Sequence, residues 1–116
     1  MRFTDSLRKN SDFKQVYRGS SSKANRYLVM YQKKNETYES EECRNRLGIS
    51  VSKKVGNSVI RHRVKRLIKE SYRLQEDVFD SGLDIVIVAR ESSKDASYQE
   101  IESALLHLAG LQGILK

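Results

Sequence analysis

The chain is predicted to fold as a single α+β domain, an α/β sandwich of about three helices on one mixed sheet of three to four strands. Three observations carry this prediction. Apolar residues alternate over Arg26–Lys33 and Arg46–Ser52, a nearly continuous β-branched run covers Leu83–Ala89, and apolar positions recur at helical spacing after Ser11, Asn57 and Ser97. Helices and strands interleaved in so short a chain must bury their apolar faces on one another, so the layers stack. A length of 116 residues fits one domain, 1–116, around one core.

The elements follow in the order α-β-β-(β)-α-β-α. A first short helix is expected from about Ser11 to Arg18, capped by Asn10 or Ser11, with Phe13, Val16 and Tyr17 on one face. Gly19-Ser20-Ser21-Ser22 breaks it. In the strand at Arg26–Lys33, Tyr27, Val29 and Tyr31 face one way and Leu28, Met30 and Gln32 the other. Residues 35–43 form a polar, acidic connection. In Arg46–Ser52, Leu47, Ile49 and Val51 point to one side, and Arg46, Gly48, Ser50 and Ser52 to the other, which predicts a sheet face left open. An extra short strand would fit near residues 52–55. Asn57 or Ser58 then caps a helix running to about Asp80, with Ile60, Val64, Leu67, Leu74 and Val78 as its core stripe. Leu83–Ala89 reads as a central strand covered on both sides. Ser97-x-x-Glu100 is a capping box opening a last helix, whose Tyr98, Ile101, Leu105 and Leu108 face the core.

Charge narrows the function. Between Lys53 and Arg73 eight Lys/Arg face a single acid, Glu70, so this segment alone equals the net charge of +7 of the whole chain. Residues 1–52 hold eleven basic and six acidic residues, and residues 74–116 three basic and eight acidic. A single-sign field of this kind captures polyanions, and RNA is the expected partner. No apolar run approaches the length of a membrane span. The opening MRFTDSLRKNSDF has no apolar stretch of the signal-peptide kind, so a cytoplasmic protein is expected. Cys43 is the only cysteine, which rules out an internal disulfide and agrees with a reducing compartment.

With Ile60 set at zero and about 100° per residue, Val64 and Leu67 fall within roughly 40° of it. Arg61, His62, Arg63, Lys65, Arg66, Lys69 and Arg73 spread from roughly 100° to 300°, a broad cationic face left in water. The plainer reading is a solvated helix balanced by i,i+4 carboxylates. Glu70, four after Arg66, is the one such partner, so the repulsion is barely compensated. A membrane-surface helix would need a wider apolar stripe than this one can spare from the core. Guanidinium forks at Arg61, Arg63 and Arg66 suit bidentate phosphate contact.

Phe13 and Tyr17 lie side by side at i,i+4, and Tyr27 and Tyr31 share a strand face. Rings beside cations are the usual platform for single-stranded RNA. Core packing is the competing reading, and the open face of Arg46–Ser52 favours a groove with the first helix as one wall and Lys53 and Lys54 at its end. Catalysis by the chain itself finds little support. His62 and His107 lie on separate helices without ligands at metal spacing, and no phosphate-cradling or nucleophile motif occurs. His62 reads as a donor toward RNA.

In these residues the chain resembles the protein subunit of bacterial ribonuclease P over most of its length. LRKNSDFKQVY (7–17) is similar to that family's first helix and RYLVMY (26–31) to its first strand. LGISVSKKVGNSVIRHRVKRLIKESYR (47–73) resembles its signature block, and DIVIVAR (84–90) with SYQEIESALLHL (97–108) its closing strand and helix. The resemblance implies a left-handed crossover at the basic helix, where the general rule is right-handed. It also implies a ribonucleoprotein endonuclease that removes the 5′ leader of precursor tRNA, with the active site and Mg²⁺ in the RNA subunit and no obligate protein partner. By matching position, Phe13, Tyr17 and Tyr31 would line the leader cleft with Ser50, Ser52 and Lys54 nearby, and Arg61, His62, Arg63, Lys65, Arg66 and Lys69 would face the catalytic RNA. His62 stands where the family usually has Asn, and Lys69 where Arg is common. A non-catalytic RNA-binding module, of ribosomal-protein or RNA-chaperone type, is the alternative that composition alone leaves open.

Overall fold

The β-branched run at Leu83–Ala89 forms the middle strand of a five-stranded sheet. The computed structural model describes residues 3–35 and 44–116. Its order is β1 (Thr4–Ser6), α1 (Asn10–Gly19), β2 (Ser21–Ala24), β3 (Leu28–Lys34), β4 (Asn45–Ser50), α2 (Ser58–Gln75), β5 (Leu83–Ala89) and α3 (Tyr98–Gln112). Single 3-10 turns follow α2 at Glu76–Val78 and β5 at Glu91–Asp95. Across the sheet the strands run β1-β4-β5-β3-β2. β4 is parallel to both β1 and β5, while β3 is antiparallel to β5 and β2 to β3. The expected acidic connection over 36–43, and Cys43 within it, lie outside the described residues.

The predicted three to four strands become five, and the two that the sequence does not signal are both at the edges. β1 has three residues and β2 four, nearly all exposed, so no alternation of apolar and polar residues marks them. The extra strand expected near 52–55 is instead a turn, in which the Val55 N–H donates to the Ser52 carbonyl at 3.1 Å.

The faces of the sheet differ. Ile85 and Ile87 of β5 and Leu28 and Met30 of β3 are fully buried beneath Val64, Ile68 and Tyr72 of α2 and Ile101, Leu105 and Leu108 of α3. Among the described residues the opposite face carries a small cluster, Leu7, Val16 and Val86, with Phe13, Tyr31 and Val88 packed against it. One ten-residue helix, α1, covers this second face, and it is too short to cover all of it. The uncovered part is the open face that the alternation of β4 predicts.

Two expected packing assignments are corrected. Leu74 and Val78 are 54% and 40% exposed, whereas Ile68 and Tyr72 are fully buried. The buried stripe Val64-Ile68-Tyr72 centres roughly 80° away from Ile60, which carries Leu74 out of the interface. α2 also ends at Gln75, before Val78 could continue a helical stripe. Tyr27 precedes β3 and turns to the α3 side, where its hydroxyl donates to Glu100 Oε2, so it does not share a face with Tyr31.

Candidate nucleic-acid interface

Two surfaces arise from this architecture. The first is the gap between α1 and the second sheet face. Phe13, Tyr17 and Ser50 line a cavity of about 330 Å³ there. Tyr17 meets Tyr31 edge-on at 4.8 Å between ring centroids, and Phe13 lies 6.4 Å from Tyr17. Phe13 reaches the sheet because β4 has a glycine beneath it. A Cβ on Gly48 would lie 2.6 Å from Phe13 Cζ, closer than side chains pack. Burial, and secondarily the adjacent Tyr31, pushes the Tyr17 pKa above the ordinary tyrosine value, against a smaller lowering influence of the neighbouring Ser50. Tyr17 is still 39% exposed, so its ring remains available to a stacking partner.

Four of the six predicted cleft residues, Phe13, Tyr17, Tyr31 and Ser50, therefore come together. Ser52 and Lys54 do not line the cavity; both are exposed in and beside the turn that follows β4. The sequence reading misses Asn10 and Lys14, which line the same cavity. Their signal is present, since Asn10, Phe13, Lys14 and Tyr17 share one helical face.

The second surface is the outer side of α2. Asn57 caps it, its side chain accepting from the Ile60 N–H at 3.0 Å. His62, Lys65, Arg66 and Lys69 are exposed, and Arg66 lies roughly opposite the buried stripe. None of these four enters an ion pair among the described residues. Glu70 pairs with Arg73 rather than with Arg66, and this bond holds its carboxyl below the usual range. Arg61 and Arg63 stand apart from the other cations. Arg63 donates to the carbonyls of Lys94 and Ala96 at 3.2 and 2.8 Å, tying α2 to the turn after β5. Nε of Arg61 is buried without an acceptor among the described residues. An incoming phosphate oxygen is the kind of group that would satisfy such a donor.

An aromatic cleft on one side and an unbalanced cationic helix on the other define a protein of the RNA-binding class. Comparison with known proteins narrows this. The ribonuclease P family model matches residues 1–111. The ribonuclease P protein component of Lachnoclostridium phytofermentans is 58% identical over 112 residues, covering 97% of this chain and 92% of that protein. That of Clostridium botulinum is 56% identical over 110 residues, covering 93% and 94%. The Staphylococcus aureus RNase P protein superimposes with a TM-score of 0.83 at 34% identity over 96% of this chain and 97% of that one. The Thermotoga maritima RNase P protein does so at 0.78 and 29%, over 90% and 94%.

The chain belongs to the ribonuclease P protein family. Its work is that of a protein subunit of this tRNA-processing endonuclease, in partnership with the ribonuclease P RNA. No helix among the described residues is long and apolar enough to cross a membrane.

Proposed function

We propose that the two surfaces divide the labour of the holoenzyme. The exposed face of α2, with His62, Lys65, Arg66 and Lys69 outermost and Arg61 and Arg63 at its flanks, binds the catalytic RNA. The α1 cleft, with Phe13, Tyr17, Tyr31 and Ser50 and with Ser52 and Lys54 at its exit, takes the 5′ leader of precursor tRNA in the cytoplasm. The observation that carries this reading is the open sheet face itself. A Tyr–Tyr pair beside Lys14 is left uncovered where a core would have closed over it, and unstacked bases bind such rings without strict sequence preference.

Among the described residues no three His, Cys, Asp or Glu side chains gather where a metal ion could be held. The Mg²⁺ that this activity implies is assigned, together with the chemical step, to the RNA subunit on the ground of the family alone. The protein supplies positioning and charge neutralisation, which matter most when Mg²⁺ is scarce.

The test is precursor-tRNA cleavage at low Mg²⁺ with a bacterial ribonuclease P RNA, with and without the protein, and with protein alone. Activity only when both are present is expected. Arg66→Glu should weaken assembly with the RNA, while Phe13→Ala with Tyr31→Ala should weaken binding of leader-bearing precursors and leave mature tRNA little affected. Equal effects of both variants on both ligands would defeat the division of labour.

A further inference from the structure

β1 accompanies β4 only as far as Ser6 opposite Leu47, and the Leu7 N–H makes the last bond across, to the Leu47 carbonyl at 2.8 Å. The chain then turns away into α1. Ladder alternation points the backbone N–H and C=O of Ile49 to this same edge, where no strand among the described residues remains to pair them. A groove of about 480 Å³ opens there. Its floor is apolar, from Leu7, Phe13 and Ile49, and its rim is cationic, with Arg8 from the β1–α1 segment and Lys65 and Lys69 from α2. Among the described residues the one carboxylate at its wall, Asp5, is already held by Arg44, with Nη2–Oδ1 at 3.0 Å and Nε–Oδ2 at 3.2 Å. Arg8, Lys65 and Lys69 enter no ion pair among the described residues.

We infer that this groove seats a phosphodiester segment of the partner RNA, with Arg8 as a third anchoring cation beside Lys65 and Lys69, an inference that rests on the assignment of the α2 face to the catalytic RNA. Three uncompensated cations around one groove favour a linear polyanion, and the free N–H of Ile49 adds a donor of the kind that backbone amides offer to phosphate oxygens. Continuity decides which RNA. Lys65 and Lys69 lie on the same exposed helix face as His62 and Arg66, so a strand bound along α2 reaches the groove without leaving the cationic surface. Phe13 and Ile49 line both this groove and the α1 cleft. The catalytic-RNA surface therefore extends around the sheet edge to the back wall of the leader cleft. Seating the RNA fixes the ring against which the leader stacks.

The experiment is equilibrium binding of Clostridium botulinum ribonuclease P RNA to the full chain across a salt series. The proteins compared are wild type, Arg8→Ala, Arg8→Lys, Lys69→Ala and the Arg8→Ala/Lys69→Ala pair, each checked by thermal melting. Arg8→Ala should weaken binding on the order of three- to tenfold and lower the log–log salt slope by roughly 0.7 to 0.9, one phosphate's share. Arg8→Lys should keep the slope, and the double variant should lose less than the product of the single losses, since both cations serve one strand. An unchanged slope in Arg8→Ala overturns the proposal. So does a loss confined to leader-bearing precursor on the assembled holoenzyme, which would give the groove to the leader. Arg66→Glu serves as reference. Loss there without loss at Arg8 removes the groove alone, whereas no loss at Arg66 removes the assignment of α2 itself.

Discussion

Asp84 is 1% exposed on the central strand, and both of its oxygens are taken by Arg46, Nε at 2.9 Å and Nη2 at 2.7 Å. Nη1 of the same guanidinium lies 3.6 Å from Asp12 in the first turn of α1. One cation thus neutralises a buried carboxylate and steadies the helix that walls the cleft. Breaking such a pair from one side leaves a desolvated charge, so Arg46→Ala should cost about 3–5 kcal/mol in denaturant unfolding. Asp84→Asn should cost less, because it leaves a neutral group that still accepts a hydrogen bond; an equal or smaller loss from Arg46→Ala would defeat this account. Gly48 makes the complementary point about shape. An alanine there would press its methyl into the Phe13 ring, costing about 1–3 kcal/mol if the ring holds its place. If the ring moves out, leader binding should fall with little loss of stability. Catalytic-RNA affinity should be unchanged while the ring holds its place, and an affinity that falls together with stability would show that Gly48 matters only through the fold. The sequence is legible to the level of faces at both positions. Alternation places Arg46 and Gly48 opposite Leu47, but it cannot name a partner 38 residues away or the ring above a glycine.

α2 shows what helical spacing can and cannot read. Its start, its cationic side and its buried Val64 are visible in the sequence. The buried stripe is displaced because Tyr72 goes inward, where its hydroxyl meets Thr4 at 2.8 Å and Asn45 at 3.3 Å. A tyrosine between a serine and an arginine gives no sign of that. The caps are more legible. Asn57→Ala should destabilise by about 1 kcal/mol and Ser97→Ala by a similar amount, with Asn57→Ser nearly neutral in thermal melts. A neutral Asn57→Ala would mean that tertiary packing alone holds the start of α2. Tyrosine titration is a third test at this scale. Burial is the main cause that raises the Tyr72 hydroxyl, and burial with the bond to Glu102 pushes Tyr98 to about 12. The folded state therefore keeps these protons more tightly than the unfolded chain. Their contribution is complete below pH ~10, the ordinary tyrosine pKa, and is lost as pH rises toward about 12. Tyr98→Phe should flatten this alkaline loss in a stability–pH series; an unchanged slope would show that Tyr98 does not contribute to it.

Over the whole molecule, the order of helices and main strands is readable because each carries its own period. The sheet order β1-β4-β5-β3-β2 is not, because pairing between distant strands leaves no local pattern. The edge groove is hidden for the same reason, since residues 5–8 and Lys65 and Lys69 meet only in three dimensions. Charge remains readable at every scale. Outside residues 53–73 the formal charges cancel, so the net +7 resides in the segment that forms α2 and its approach. With Glu70 given to Arg73, Lys69 has Lys65, Arg66 and Arg73 as its i,i+3 and i,i+4 neighbours and no acid to offset them. Like-charge pairs at this spacing each cost about 0.2–0.5 kcal/mol and are screened by salt. The free protein should therefore melt higher as salt is raised, while its complex with RNA weakens over the same range. Lys69→Gln should raise the melting temperature at low salt, by the equivalent of roughly 0.5–1 kcal/mol, and remove part of its salt dependence. The same substitution should lower RNA affinity, which separates a helix stabilised for its own sake from one whose strain is relieved only by its partner. A wild-type melting temperature indifferent to salt, or a Lys69→Gln variant that gains stability without losing RNA affinity, would show that the charge of α2 is not held in reserve for RNA.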